Sequence, residues 1–161
     1  MNVLLKLRPN HIQVIQSHAE GTYPEECCGL LLGKLSVEEK LLVEVRSLEN
    51  TWSPEIIDDP APESTKTKQQ RYTIAPDVML REMRYARARN LQVIGIYHSH
   101  PDHPAMPSEC DRRNAWSLYS YIIVSVQQGK AQDWQNWVLD THHQFQPEDF
   151  SVTDEIARMC H

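Results

Sequence analysis

The sequence predicts an α/β domain of mixed α+β type, with six or seven strands and three helices. Three observations carry this expectation. Apolar runs are short and bounded by turn-forming residues, as strands are. Two segments show helical apolar spacing, each opened by a proline, Pro9 and Pro76. No Gly-rich phosphate loop and no G-x-S-x-G elbow interrupts the pattern.

Taken in order, residues 2–7 alternate weakly and open the chain as a strand. Pro9 then begins a helix in which Ile12, Val14, Ile15 and His18 recur at near-helical spacing, and Gly21 ends it. Tyr23-Pro24 makes an extended link. Residues 27–35 form a short apolar run with Gly29 and Gly33 inside it, a buried strand. Residues 41–48 alternate and pair with it as a half-buried strand. Composition then shifts. Residues 50–70 hold Pro54, Pro60, Pro62 and a Ser64-Thr65-Lys66-Thr67-Lys68 stretch. This reads as a mobile insertion or flap, with Trp52, Ile56 and Ile57 available to grip a substrate. A short strand is expected at 71–74 and a helix from Pro76 to Arg89 carrying Val78, Met79, Met83 and Tyr85, with Met79 and Met83 read as core. Residues 91–97 are a candidate central strand and 98–107 a His- and Pro-rich loop. Ser108 caps a helix to about residue 117. Later strands fall at 118–126, 134–140 and 143–152.

The chain has 161 residues, which favours one domain spanning 1–161. A net charge of −6 argues against a nucleic-acid surface as the main business. Apolar runs are far shorter than the ~20 residues of a membrane helix. Of the four cysteines, Cys27 and Cys28 are adjacent and no pair has C-x-x-C spacing. Reduced thiols in a cytoplasmic protein are therefore expected, with no secretory leader visible.

The chemistry concentrates in one segment. His98 and His100 are two apart at a strand end, so period two puts both imidazoles on one face. Pro101 is expected to take the chain out of the sheet there. Asp111 lies in the first turn of the helix that Ser108 caps. Two imidazoles and one carboxylate make a three-ligand zinc site with a fourth position open, the catalytic arrangement. Zinc lowers the pKa of water and polarises carbonyls. A base and an oxyanion donor are still needed. Glu26, at the head of the apolar run, is the candidate base, with Glu25 its competitor. Ser108 is the candidate oxyanion donor.

His98-Ser99-His100-Pro101, six residues, Ser108, two residues and Asp111 resembles the H-[ST]-H-P-x6-S-x-x-D signature of the JAMM (MPN-domain) metalloproteases. Upstream, Glu26-Cys27-Cys28-Gly29-Leu30-Leu31-Leu32-Gly33 resembles the family's first motif, a glutamate three residues before a glycine in an apolar strand. The resemblance runs from about residue 24 to 126. It implies a central, mostly antiparallel curved sheet flanked by helices, like that of cytidine deaminases. It also implies one zinc per chain on His98, His100 and Asp111, with Glu26 as acid/base and Ser108 on the tetrahedral intermediate. Short stand-alone prokaryotic-type members are similar in size. They imply a peptidase or isopeptidase acting at the C-terminal Gly-Gly tail of a ubiquitin-like sulfur-carrier protein. Two other readings stand beside this one. The first is a non-catalytic MPN-type scaffold. The second is a thiol enzyme built on Cys27 or Cys28, which would need a histidine arranged around the thiol. The sequence leaves the oligomeric state open.

Overall fold

Residues 3–53, 68 and 71–154 are described by the structure, a computed structural model. Among them lie eight strands in one sheet and three helices. In chain order these are β1 (Leu4–Leu7), α1 (Pro9–Thr22), β2 (Cys28–Leu35), β3 (Glu39–Leu48), α2 (Pro76–Ala88), β4 (Gln92–Pro101), α3 (Glu109–Arg113), β5 (Ser120–Gln127), β6 (Lys130–Leu139), β7 (Phe145–Pro147) and β8 (Phe150–Val152). The strand order is β7-β6-β5-β4-β2-β3-β1-β8. Neighbours run antiparallel in β2/β3, β2/β4, β5/β6 and β6/β7, and parallel in β4/β5, β1/β3 and β1/β8. The result is a curled, mostly antiparallel mixed sheet, the α/β class read from the sequence.

The central strands are apolar on both faces because both faces are covered. Leu31 packs with Ile15 and Ala19 of α1, while its neighbours Leu30 and Leu32 pack with Ala86 and Val78 of α2. Successive strand residues point to opposite faces, so the two helices cover opposite sides of the sheet. Glu26, Cys28, Ile96, His98 and His100 share the parity of the α2 side. The α2-side core therefore ends in the histidines. Gly29 is demanded by packing: a Cβ there would collide with the ring of Tyr97 and the carbonyl of Arg46.

Several expectations need correction. β4 does not stop at Tyr97 but continues through both histidines to Pro101. Its β2 neighbour ends at the Cys28–His98 pair, whereas β5 pairs in parallel as far as Pro101–Val126. A proline at the last strand position with one neighbour gone costs little pairing. Residues 71–74 form no ladder; the side chain of Asn50 takes the place of a neighbouring strand there. The helix after Ser108 ends at Arg113. Beyond it the Tyr121 hydroxyl meets the Trp116 N–H at 2.6 Å, and Leu118 turns at φ 73. The expected strand at 143–152 is two strands on opposite sheet edges. Between them Glu148 turns inward to a buried ion pair with Lys40 at 3.0 Å. Met83 is exposed rather than in the core, and Trp52, expected to grip substrate, is buried. Most of the expected mobile insertion at 50–70, including Ile56 and Ile57, lies outside the described residues. No helix among the described residues is long and apolar enough to cross a membrane.

Candidate metal centre

β4 delivers His98 and His100 on one face, with ring centroids 5.0 Å apart. Ser99 between them faces the other way. Its Oγ accepts the Cys27 N–H at 2.8 Å and its own N–H donates to the Cys27 carbonyl at 3.2 Å. These bonds extend the β2–β4 pairing one step past its ladder and draw Glu26 beside the histidines. Glu26 lies just before β2 and is buried, while Glu25 is exposed. The backbone N–H of Glu26 donates to the Lys68 carbonyl at 2.7 Å, and its carbonyl accepts from Asn50 Nδ2 at 3.0 Å.

The loop after β4 is tied down from several sides. The Asp102 N–H donates to the Val126 carbonyl at 2.7 Å, and the Tyr23 hydroxyl donates to Asp102 Oδ2 at 2.6 Å. Trp137 Nε1 donates to the Ala105 carbonyl at 3.1 Å. So held, the loop returns α3 to the histidines. Ser108 caps α3 reciprocally: Ser108 Oγ accepts the Asp111 N–H at 3.0 Å, and the Ser108 N–H donates to Asp111 Oδ2 at 2.8 Å. This capping box aims the Asp111 carboxylate at the imidazoles.

Four side chains converge. Asp111 Oδ2 lies 3.2 Å from His100 Nε2, and Oδ1 lies 3.6 Å from His98 Nε2. Glu26 Oε1 lies 3.4 Å from His98 Nδ1. Glu26, His98 and His100 can each offer one ligand atom, all within 4.8 Å of one another. Asp111 joins this group through its pairwise approaches to both rings.

The hydrogen bonding of the two rings suits a metal. His100 Nδ1 lies 2.8 Å from the Pro104 carbonyl, which can only accept. Nδ1 therefore carries the N–H, and in the neutral ring Nε2 presents a lone pair to the Asp111 carboxylate. Two acceptors at that separation need a cation between them, either a second proton or a metal ion. A backbone carbonyl on the far nitrogen is the usual partner of a ligating histidine. His98 goes further: both ring nitrogens are buried with no hydrogen-bond partner. An orphaned buried donor or acceptor costs about 1–3 kcal/mol, and a metal ion would remove that cost at the ring nitrogen it binds. Two imidazoles with carboxylates match the donor set of catalytic zinc.

Burial pushes Glu26 well above the ordinary carboxylate range; nearby His100 works against this and Asp111 with it. Burial lowers His98, against the pull of Asp111. For Asp111 burial acts upward, but His98, His100 and the Ser108 N–H outweigh it and hold the carboxyl below its usual range. Burial pushes the Cys27 thiol up to about 12 and raises Cys28 as well. Burial thus works against the thiolate that a thiol enzyme would need.

The five residues read from the sequence as metal ligands, base and oxyanion donor (His98, His100, Asp111, Glu26 and Ser108) are brought together here. Two further residues lie here as well. Tyr72 stacks on His98 with centroids 4.5 Å apart and planes 25° off parallel. Asn50 is buried and bonds to the segments on either side of it. An asparagine before a Pro-rich stretch reads as a turn residue, so nothing local marks it.

A sequence profile for prokaryotic homologs of the JAB domain matches residues 8–140. The tail tip assembly protein K of Escherichia phage N15 is 30% identical over 125 residues, 76% of this chain and 42% of that protein. A desampylase of Pyrococcus furiosus is 27% identical over 116 residues, 71% of this chain and 66% of that protein. The chain thus spans less than two thirds of the length of either relative. Among solved structures, a Desulfitobacterium hafniense protein superposes with a TM-score of 0.75 at 24% identity, covering 98% of both chains. A JAB1/MPN domain protein from Archaeoglobus fulgidus superposes with a TM-score of 0.51 at 16% identity, covering 96% of this chain and 98% of its own. At these identities the two structures speak for the fold.

Proposed function

The chain belongs to the prokaryotic homologs of the JAB domain, and on that footing we propose that it is a zinc-dependent peptidase or isopeptidase. Its substrate is the C-terminal Gly-Gly tail of a ubiquitin-like protein, a sulfur carrier in the narrowest reading. The observation that carries the proposal is His98, buried beside two carboxylates with neither ring nitrogen hydrogen-bonded. Kinship with a desampylase supports a hydrolase acting on ubiquitin-like proteins.

In this reading His98, His100 and Asp111 hold one zinc ion per chain. Bound there, zinc supplies Lewis acidity toward water and the scissile carbonyl. The protein's own groups supply the rest. Glu26, buried and with its proton affinity raised, takes a proton from the attacking water and delivers it to the departing nitrogen. Ser108 Oγ already accepts from the Asp111 N–H, so its O–H is the group available to donate to the developing oxyanion. The capping box holds that hydroxyl and the Asp111 carboxylate in one rigid turn. Cys27 and Cys28, both buried and outside any disulfide among the described residues, suit a reducing compartment, the cytoplasm.

The second reading is a non-catalytic MPN-type scaffold, favoured by one observation, the phage relative named for tail tip assembly. The two separate in one experiment. The zinc-loaded protein is incubated with ubiquitin-like carriers bearing a C-terminal extension or adduct after Gly-Gly, and the products are weighed by mass spectrometry. Cleavage after Gly-Gly that a chelator abolishes supports the enzyme. Binding without any mass change supports the scaffold.

A further inference from the structure

His98 and His100 are oriented by different means. The His100 ring is pinned by the bond between Nδ1 and the Pro104 carbonyl. His98 makes no hydrogen bond through either nitrogen. Its plane must then be set by packing, and the stacked partner is the Tyr72 ring, 4.5 Å away and 25° off parallel.

Tyr72 sits on a segment with no regular secondary structure, residues 71–75. A stacking residue there needs its own anchor. Asn50 supplies it. Asn50 Nδ2 donates to the Arg71 carbonyl at 2.9 Å, and Asn50 Oδ1 accepts the Thr73 N–H at 3.1 Å. These two bonds bracket Tyr72 as a neighbouring strand would. The Thr51 N–H adds a bond to the Thr73 carbonyl at 3.0 Å. The same amide reaches the proposed base: Nδ2 also donates to the Glu26 carbonyl at 3.0 Å, and Oδ1 also accepts the Trp52 N–H at 3.0 Å. Both donors and both acceptor sites of the amide are thereby used. Side chains of aspartate or leucine would offer the carbonyls at 26 and 71 no donor.

We propose that Asn50 and Tyr72 form a brace that positions the site: Asn50 fixes the backbone on either side of Tyr72 and beside Glu26, and the Tyr72 ring holds the His98 imidazole in its ligating orientation. Both are positioning residues. The inference rests on the metal reading of His98 only for its consequence; the stacking can be read without metal.

The test uses Tyr72→Phe, Tyr72→Ala, Asn50→Ala and the Asn50→Ala/Tyr72→Ala double variant of the full chain. Two quantities are read: the rate of zinc release to a chromogenic chelator, and the His98 ring-proton shifts in the metal-free protein, which the Tyr72 ring current displaces. Phe keeps the ring, so Tyr72→Phe should match wild type in both. Tyr72→Ala should move the His98 shifts and weaken zinc retention about 10–100-fold, the usual effect of losing a residue that orients a ligand. Asn50→Ala should move both quantities in the same direction, and the double variant should be little worse than Tyr72→Ala alone. Tyr72→Phe as damaging as Tyr72→Ala would overturn the brace, as would Tyr72→Ala with unmoved His98 shifts. If Asn50→Ala does not fold, the two Tyr72 variants still decide. A wild type that takes up no zinc refutes the metal reading, while the shifts still decide the brace.

Discussion

His100 Nε2 and Asp111 Oδ2 face each other across 3.2 Å, each an acceptor when the ring is neutral. The contact joins a strand residue to a helix residue through a loop that neither could hold alone. It predicts that the pair binds metal as a unit. His100→Ala and Asp111→Asn should each lose zinc by elemental analysis, and the His98→Ala/His100→Ala double variant should retain none. Full zinc content in that double variant would remove the site assignment.

Glu26 and Glu25 are adjacent, and only Glu26 is buried beside His98. Glu26→Gln should retain zinc and fold while turnover falls on the order of 10²–10⁴-fold, the usual contribution of an acid–base group. Glu25→Gln should keep near-normal turnover. The reverse pattern would mean the wrong glutamate carries the proton.

Ser108 separates two roles by substitution. Ser108→Ala removes the cap and the hydroxyl together. It should lower stability by about 1 kcal/mol and kcat by about 10²–10³-fold. Ser108→Thr keeps a capping oxygen and a donor, so most activity should survive. Equal activity in all three proteins would leave Ser108 as a cap alone.

Burial lowers the pKa of both His11 and His18 from the ordinary 6.5. Between the folded and unfolded values the unfolded chain binds more protons, so stability rises with pH there. The contribution is fully present above 6.5 and is lost as pH falls from 6.5 toward the lowered folded values. Urea midpoints of the metal-free protein should therefore drop between about pH 8 and about pH 5.5. A His11→Gln/His18→Gln variant should show a shallower drop. Parallel pH curves for the two proteins would contradict this.

Lys40 and Glu148 form a buried ion pair at 3.0 Å, with Lys40 Nζ also donating to Ser120 Oγ at 2.9 Å and Asn136 Nδ2 donating to Glu148 Oε1 at 2.9 Å. Lys40→Met strands the carboxylate and should cost about 3–5 kcal/mol. Lys40→Met/Glu148→Gln should cost clearly less than the two single effects added, measured by chemical unfolding. Strict additivity would show that the pair is not coupled.

Read alone, the sequence determined what depends on spacing. Period two in β4 set His98 and His100 on one face, the three-residue offset from Ser108 to Asp111 set the capping box, and proline placement opened α1 and α2. These are local rules, carried by covalent geometry and near-neighbour hydrogen bonds. Tertiary structure decided what depends on partners distant in the chain. β4 continues through Pro101 because β5 pairs with it there. Residues 71–74 form no ladder because the Asn50 side chain takes up the bonds a strand would offer. Glu148 turns inward and splits the last strand in two because Lys40 lies buried behind it. A local pattern records which groups a residue can offer; which distant group comes to meet it is settled only when the sheet closes and the two can no longer be satisfied by water.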